Sequence, residues 1–266
     1  MNICYSELIL LGGPVIDNVK KLMSSGSQKI ELMMDGAGWD DINGTWSKLA
    51  IELPKTGASF SVHPAAWDTN LTSQTKVLRD ATLQLHKDTI IFASKIGAEQ
   101  VVLHPGFSYS PAFDKKTAQR QARAATEELI TIAKPLGIKL AFENVGYNGS
   151  CLYTFDEFAT SLDGLDDTVG YLIDTGHANI NGWDIAKLIG RLSDRLFALH
   201  IHDNNGISDQ HLPICQGNIK WQQIFNAIKN VREDCELILE YAPSVPLERL
   251  PEGKAILLAQ LSLNSF

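Results

Sequence analysis

Short apolar runs and longer amphipathic stretches alternate along this chain from end to end. The runs Ile3–Ser6, Lys29–Met33, Ser59–His63, Gln100–His104, Lys139–Glu143, Val169–Asp174, Leu196–His200 and Glu236–Glu240 have the length and make-up of strands buried on both faces. Between and after them, helical patterning predicts Val15–Ser24, Thr45–Leu53, Ser73–Ile96, Asp114–Lys134, Thr154–Leu162, Trp183–Leu192, Trp221–Asn230 and Pro246–Leu261. Breakers and caps agree: Pro14 opens the first helix, Gly97 stops the third, Pro135 the fourth, and Thr154 with Glu157 spells a capping box. Eight strands, each followed by a helix, predict a parallel sheet. Eight such units in 266 residues match the size of a closed (β/α)₈ barrel. The expected fold is therefore α/β, a single TIM barrel forming one domain over residues 1–266, with a doubly wound open sheet as the competitor.

The strand ends carry the chemistry. Strands three to eight finish on His63, His104, Glu143, Asp174, His200 and Glu240. In a parallel barrel all C-terminal strand ends converge on one mouth, so these residues are expected in one pocket. The stretch Leu199–His211 (LHIHDNNGISDQH) adds further imidazole and carboxylate groups, the makings of a divalent metal site. Asp209 and His211, two apart in a loop, can turn to one side and grip a second ion. In Leu172–His177 (LIDTGH) a sharp turn at Gly176 is expected to return His177 to Asp174.

Composition narrows the setting. Cys4, Cys151, Cys215 and Cys235 are scattered without a C-x-x-C pair, which suits free thiols in a reducing cytoplasm. No apolar stretch is long enough to span a membrane, and the N-terminus does not read as a signal peptide. The net charge of −8 disfavours a nucleic-acid partner.

Taken together, LHPG at 103–106, FENVG at 142–146, LIDTGH at 172–177, HIHDNNGISDQHLP at 200–213 and LE at 239–240 resemble the xylose-isomerase-like barrel superfamily. That superfamily holds sugar isomerases and epimerases and also the zinc nuclease endonuclease IV. The isomerase branch implies one divalent ion, zinc or manganese, on Glu143, Asp174, His200 and Glu240, with Glu143 and Glu240 exchanging a substrate proton. The nuclease branch implies three zinc ions. His63, His104 and bridging Glu143 would hold the first; Asp174, His200, Glu240 and the same Glu143 the second; His177, Asp209 and His211 the third. All nine nuclease-type ligands are present. Departures are Cys215-Gln216-Gly217, where the family has Gly, a charged residue and Gly, and Pro-Ala-Ala-Trp-Asp after His63. No counterpart of the nuclease's DNA-probing loops is visible.

Loop charge separates the two branches. The segments after strands two to eight hold Lys76, Lys115, Lys116, Lys220 and Arg249 against Asp35, Asp40, Asp41, Asp68, Asp114, Asp203, Asp209 and Glu248. Polyanion binding needs cations along the phosphates, and this rim is acidic. All five tryptophans fall on or beside it. Trp46, Trp183 and Trp221 read as packing at helix starts, while Trp39 and Trp67 are candidate substrate walls. His202 joins them on the substrate side or orients a ligand from behind, and His86 reads as structural. The expectation is a metal-dependent isomerase or epimerase of a small, unphosphorylated sugar or polyol, with no nucleic-acid or membrane partner. A homo-oligomer is compatible with it. An endonuclease-IV-like phosphodiesterase is the alternative.

Overall fold

A computed structural model of the chain describes residues 2–262; Met1 and residues 263–266 of the expected span lie outside them. The strands are β1 (Asn2–Ser6), β2 (Lys29–Met33), β3 (Ser59–His63), β4 (Gln100–Leu103), β5 (Lys139–Glu143), β6 (Val169–Asp174), β7 (Leu196–Ile201) and β8 (Glu236–Leu239). They pair in chain order, all parallel, and β8 closes on β1. Around the barrel run α1 (Val15–Ser24), α2 (Thr45–Glu52), α3 (Lys76–Ile96), α4 (Lys115–Leu136), α5 (Phe155–Phe158), α6 (Thr175–Ile180), α7 (Ile185–Leu192), α8 (Trp221–Ile228) and α9 (Arg249–Ser262). None of them is long and apolar enough to cross a membrane. The closed TIM barrel is as expected.

Several boundaries differ. The fourth helix passes Pro135 and stops at left-handed Gly137, whose N–H reaches the carbonyls of Ala133 and Lys134. Glycine there closes the helix, and a proline in the final turn does not prevent it. The helix expected over Thr154–Leu162 is a single turn, although its capping box forms as predicted. The segment at Gly176 is no sharp turn: it is α6, capped by the Asp174 carboxylate on the His177 N–H. What Gly176 supplies is room, since a Cβ there would sit 2.0 Å from His202 Cε1.

Two layers form the core. Outside the sheet, strand and helix side chains make one large cluster. Inside the barrel Cys4, Val102, Ala141, Leu172, Ala198 and Ile238 form a second, smaller one. Side chains on a strand alternate between faces with a period of two. Two residues beyond Val102, Ala141, Leu172, Ala198 and Ile238 come His104, Glu143, Asp174, His200 and Glu240. The pleat that buries the inner layer thus aims the titratable set inward, one layer higher. Between β6 and β7 a one-residue irregularity carries the pairing from Tyr171↔Leu196 to Leu172↔Ala198, so that Asp174 lies beside His200. Had the first register continued, Asp174 would face Leu199 instead.

At the opposite end, Lys29 lies 2.5 Å from Glu236 and 2.8 Å from Glu99. Near the mouth, Glu7 is buried and accepts from the Asn18 amide (2.9 Å) and the Met33 N–H (3.2 Å), tying the first βα connection to β2. Burial pushes its carboxyl up from an ordinary value of 4.5 to about 7. The native state therefore binds more proton than the unfolded chain between those values. The resulting stability is complete below 4.5 and is lost as pH rises through about 7. Glu7→Gln is expected to flatten the fall in unfolding free energy between about pH 5 and about pH 8, as measured by urea denaturation. An unchanged slope would show that Glu7 does not titrate with folding.

Candidate metal centre

The expected residues meet at the C-terminal mouth, in three adjoining groups. His63 Nδ1 donates to the Pro64 carbonyl at 2.7 Å, which turns Nε2 toward His104 Nε2 at 3.1 Å. Glu143 Oε2 lies 3.0 Å from that His104 nitrogen and 3.8 Å from His63 Nε2. The second group centres on His200, whose Nδ1 faces Glu240 at 3.4 Å, Glu143 at 3.6 Å and Asp174 at 3.8 Å. The third joins Asp209 Oδ2 to His177 Nε2 at 3.2 Å and to His211 Nε2 at 3.1 Å. Glu143 links all three, because its Oε1 also lies 3.3 Å from His177 Nδ1.

Ligand atoms of His63, His104 and Glu143 fall within the reach of one ion, and so do those of Glu143, Asp174 and His200. The donor chemistry fits a divalent cation. His200 Nδ1 is buried, without a hydrogen-bond partner, and surrounded by carboxylates from three strand ends. Mixed imidazole and carboxylate donors suit zinc or manganese. His177 Nδ1 and Asp209 Oδ1 are likewise buried and without a hydrogen bond.

The electrostatics point the same way. Burial favours the neutral imidazole and prevails at His104, which is held below the usual imidazole range, but at His63, His177, His200 and His211 the facing carboxylates outweigh it. His63 and His211 are held at about 9, and His177 and His200 well above the usual imidazole range. Burial opposes ionisation of Glu143, yet His104 and His200 bring its carboxyl well below the ordinary range. Within the chain itself, protonated imidazoles balance clustered carboxylates. A dication can take over that balance. Its ligands must be neutral imidazoles, so its uptake releases protons.

The remaining expectations divide. Trp67 lines the cavity above the cluster and is 60% exposed. Trp39 is no substrate wall: it is 6% exposed and packs edge-on against Trp46 and Phe92. The loop after β2 folds back through a short 3₁₀ turn that tucks its ring among α2 and α3. His202 is also corrected as a substrate contact. It is fully buried, does not line the cavity, and holds Asp174 Oδ2 at 2.9 Å while stacking on His211 at 3.8 Å. From there it braces the Asp174 carboxylate from behind, and its own ligand atom falls with those of His211 and Glu240 within the reach of one ion. Asp203 is structural too, accepting from Trp221 Nε1 at 2.7 Å and so anchoring the loop that carries Asp209 and His211. Trp46 and Trp221 are buried in the core, and Trp183 packs against it. His86 is buried in α3 with Nδ1 on the Thr82 carbonyl.

One participant went unnoticed in the sequence. Glu31 of β2 is completely buried, and its carboxylate lies 3.2 Å from His200 Nε2, opposite the nitrogen that faces the cluster. An acid in the middle of a strand buried on both faces (KIELM) was the available signal. Asn144, the residue after Glu143, was missed as well. It clamps the Asp174 backbone in both directions, at 2.7 and 3.1 Å.

Comparison with known proteins adds a family. Residues 19–260 match the family described as xylose isomerase-like TIM barrel. A protein named probable endonuclease 4 from Campylobacter concisus is 32% identical over 73% of this chain and 74% of its own length. Among solved structures, a D-tagatose 3-epimerase-like protein superposes with a TM-score of 0.85 at 22% identity, covering 99% of this chain and 98% of its own. The IOLI protein with a bound zinc atom superposes with a TM-score of 0.80 at 18% identity, covering 100% of this chain and 99% of its own. At such identities these two structures speak for the fold alone.

Proposed function

This chain belongs to the xylose isomerase-like TIM barrel family, and from that premise we propose a divalent-metal-dependent isomerase or epimerase acting on a sugar or polyol. The observation that carries the reading is the pair Glu143 and Glu240. Both are buried, both line the cavity, and their carboxylates approach the same imidazole nitrogen of His200, at 3.6 and 3.4 Å. Glu143, Asp174, His200 and Glu240 would hold the ion, which supplies Lewis acidity at a substrate carbonyl. One glutamate removes the neighbouring C–H proton and the other returns one, to the same carbon or the next. His202 and Asn144 keep Asp174 in place. Trp67 offers an aromatic face to the substrate.

The cavity wall supports a neutral substrate. Lys115 is the only Lys or Arg along its described lining, and its ammonium is engaged by the carbonyls of Gly149 and Cys151. A second reading, zinc-dependent phosphodiester hydrolysis, is favoured by the two further groups His63–His104–Glu143 and His177–Asp209–His211. Clustered ions of that kind can neutralise charge growing on phosphate.

A direct contest separates the two, using metal-replete protein at physiological salt. The expected outcome is deuterium incorporation into a sugar substrate and no metal-dependent incision of abasic duplex DNA. Efficient incision would overturn the isomerase reading. The same preparation yields the metal count: one ion per chain, unchanged by His211→Ala, would remove Asp209 and His211 from the ligand set.

A further inference from the structure

The candidate metal centre occupies one end of a cavity of about 920 Å³, and much of the remaining wall is aromatic: Trp67, Phe107, Tyr109, Phe113 and Tyr147. That volume sits near the top of the roughly 300–1,000 Å³ range of pockets that hold drug-sized ligands, and one sugar ring leaves much of it unfilled. Phe107 and Tyr109 stack on each other with centroids 5.6 Å apart at 22°, which extends the aromatic wall over two rings. Around the mouth Tyr109, Trp67 and Phe113 stand 73%, 60% and 46% exposed. Large apolar side chains grouped in water mark a surface that a ligand covers. Lys115 is the only Lys or Arg along the described lining, so this wall offers little to hold an anionic group. A second sugar would need partners for several hydroxyls; of the serines on this wall, Ser110 and Ser150 already bond to backbone, and the five rings offer few polar atoms. An aromatic ring needs none.

On the reading that Glu143 and Glu240 exchange a substrate proton, we propose that the substrate is a glycoside with a ketone on its sugar ring and an aromatic aglycone. The sugar lies at the carboxylate end and the aglycone against Phe107 and Tyr109. A glycosidic bond locks the anomeric carbon as an acetal, so the carbonyl that acidifies the C–H must be a ring ketone. In the reaction the C–H bond beside that ketone breaks. Its electron pair becomes the C=C of an enediolate, the carbonyl π pair moves to oxygen, and the proton passes to one glutamate. The other glutamate, protonated from solvent, then delivers its proton on the opposite face, re-forming the ketone with that carbon inverted, and the first glutamate releases its proton to solvent. No redox partner is consumed.

Two readouts on the zinc-loaded protein test this. Calorimetry compares phenyl β-glucoside with methyl β-glucoside, which lack the ketone and report binding alone. The phenyl compound is expected to bind about tenfold more tightly, and Phe107→Ala to bring the ratio toward unity. Equal affinities overturn the aromatic-aglycone assignment whatever the chemistry proves to be. Deuterium wash-in then compares the ring-keto forms of both glycosides with a free ketohexose, and the phenyl keto-glycoside is expected to exchange fastest. Faster exchange into the free ketohexose overturns this inference and leaves the proton-exchange reading standing. No exchange into any of the three, with tighter phenyl binding retained, removes the proton-exchange reading and the keto-glycoside step with it.

Discussion

Glu143→Gln is expected to lower turnover at least about 10²-fold. The amide keeps the size of the side chain but cannot take up a proton at neutral pH. It also faces groups that a carboxylate alone suits: Oε2 lies 3.0 Å from His104, and Oε1 lies 3.3 Å from His177 and 3.6 Å from His200. An NH₂ on either side would meet an imidazole or an ion where a negative charge now stands. Metal content, measured on the same protein, is expected to fall together with rate, because Glu143 belongs to two of the candidate ligand groups. A variant that exchanges substrate protons at near-normal rate would take Glu143 out of the mechanism. A variant with full metal occupancy and no turnover would assign the loss to proton transfer alone.

The second large effect is at the far end of the barrel. Lys29→Met is expected to cost about 3–5 kcal/mol of stability at neutral pH, the range for removing one partner from a buried ion pair. The Lys29 side chain is 8% exposed and that of Glu236 is 4% exposed. Burial already pushes the Glu236 carboxyl up to about 7, with Lys29 pulling against it. Without the lysine that carboxylate is left uncompensated, so the penalty is expected to shrink toward about pH 5, where Glu236 is protonated. Replacing both residues, Lys29→Met with Glu236→Leu, is expected to recover most of the loss, because an apolar pair leaves no buried charge. Denaturant titration of the single and double variants checks this. A single variant within about 1 kcal/mol of the parent would mean that water reaches the pair.

Much of the barrel was legible before any coordinates, because strand and helix patterns are local. The eight strand positions all stand, with ends shifted by a residue or so at β1, β4, β7 and β8. The helices fared less evenly, since their ends depend on caps that compete. Gly137 overrode Pro135, and the Asp174 carboxylate made a helix of a stretch that reads as a turn. The clustering of the strand-end His, Asp and Glu residues followed from the fold once a closed barrel was accepted. Trp39 as a substrate wall, and His202 in the substrate-side half of its two readings, failed for one reason. Both lie near the rim in sequence, but whether a rim side chain points at the cavity or behind it depends on how its loop folds back.

What the sequence alone determined was the alternation of elements, the inward phase of each strand end and the inventory of possible ligands, since a period of two carries His104, Glu143, Asp174, His200 and Glu240 inward with the apolar layer beneath them. Only the tertiary structure decided which of these groups touch. The irregular pairing beside Phe197 sets His200 rather than Leu199 next to Asp174, and room for Phe197 comes from Gly170 on the neighbouring strand, where a Cβ would lie 2.6 Å from its ring. Glu31, 169 residues away in the chain, meets His200 only because the barrel closes. Strand pairing and ring closure are long-range choices, made by packing among segments that no local pattern connects.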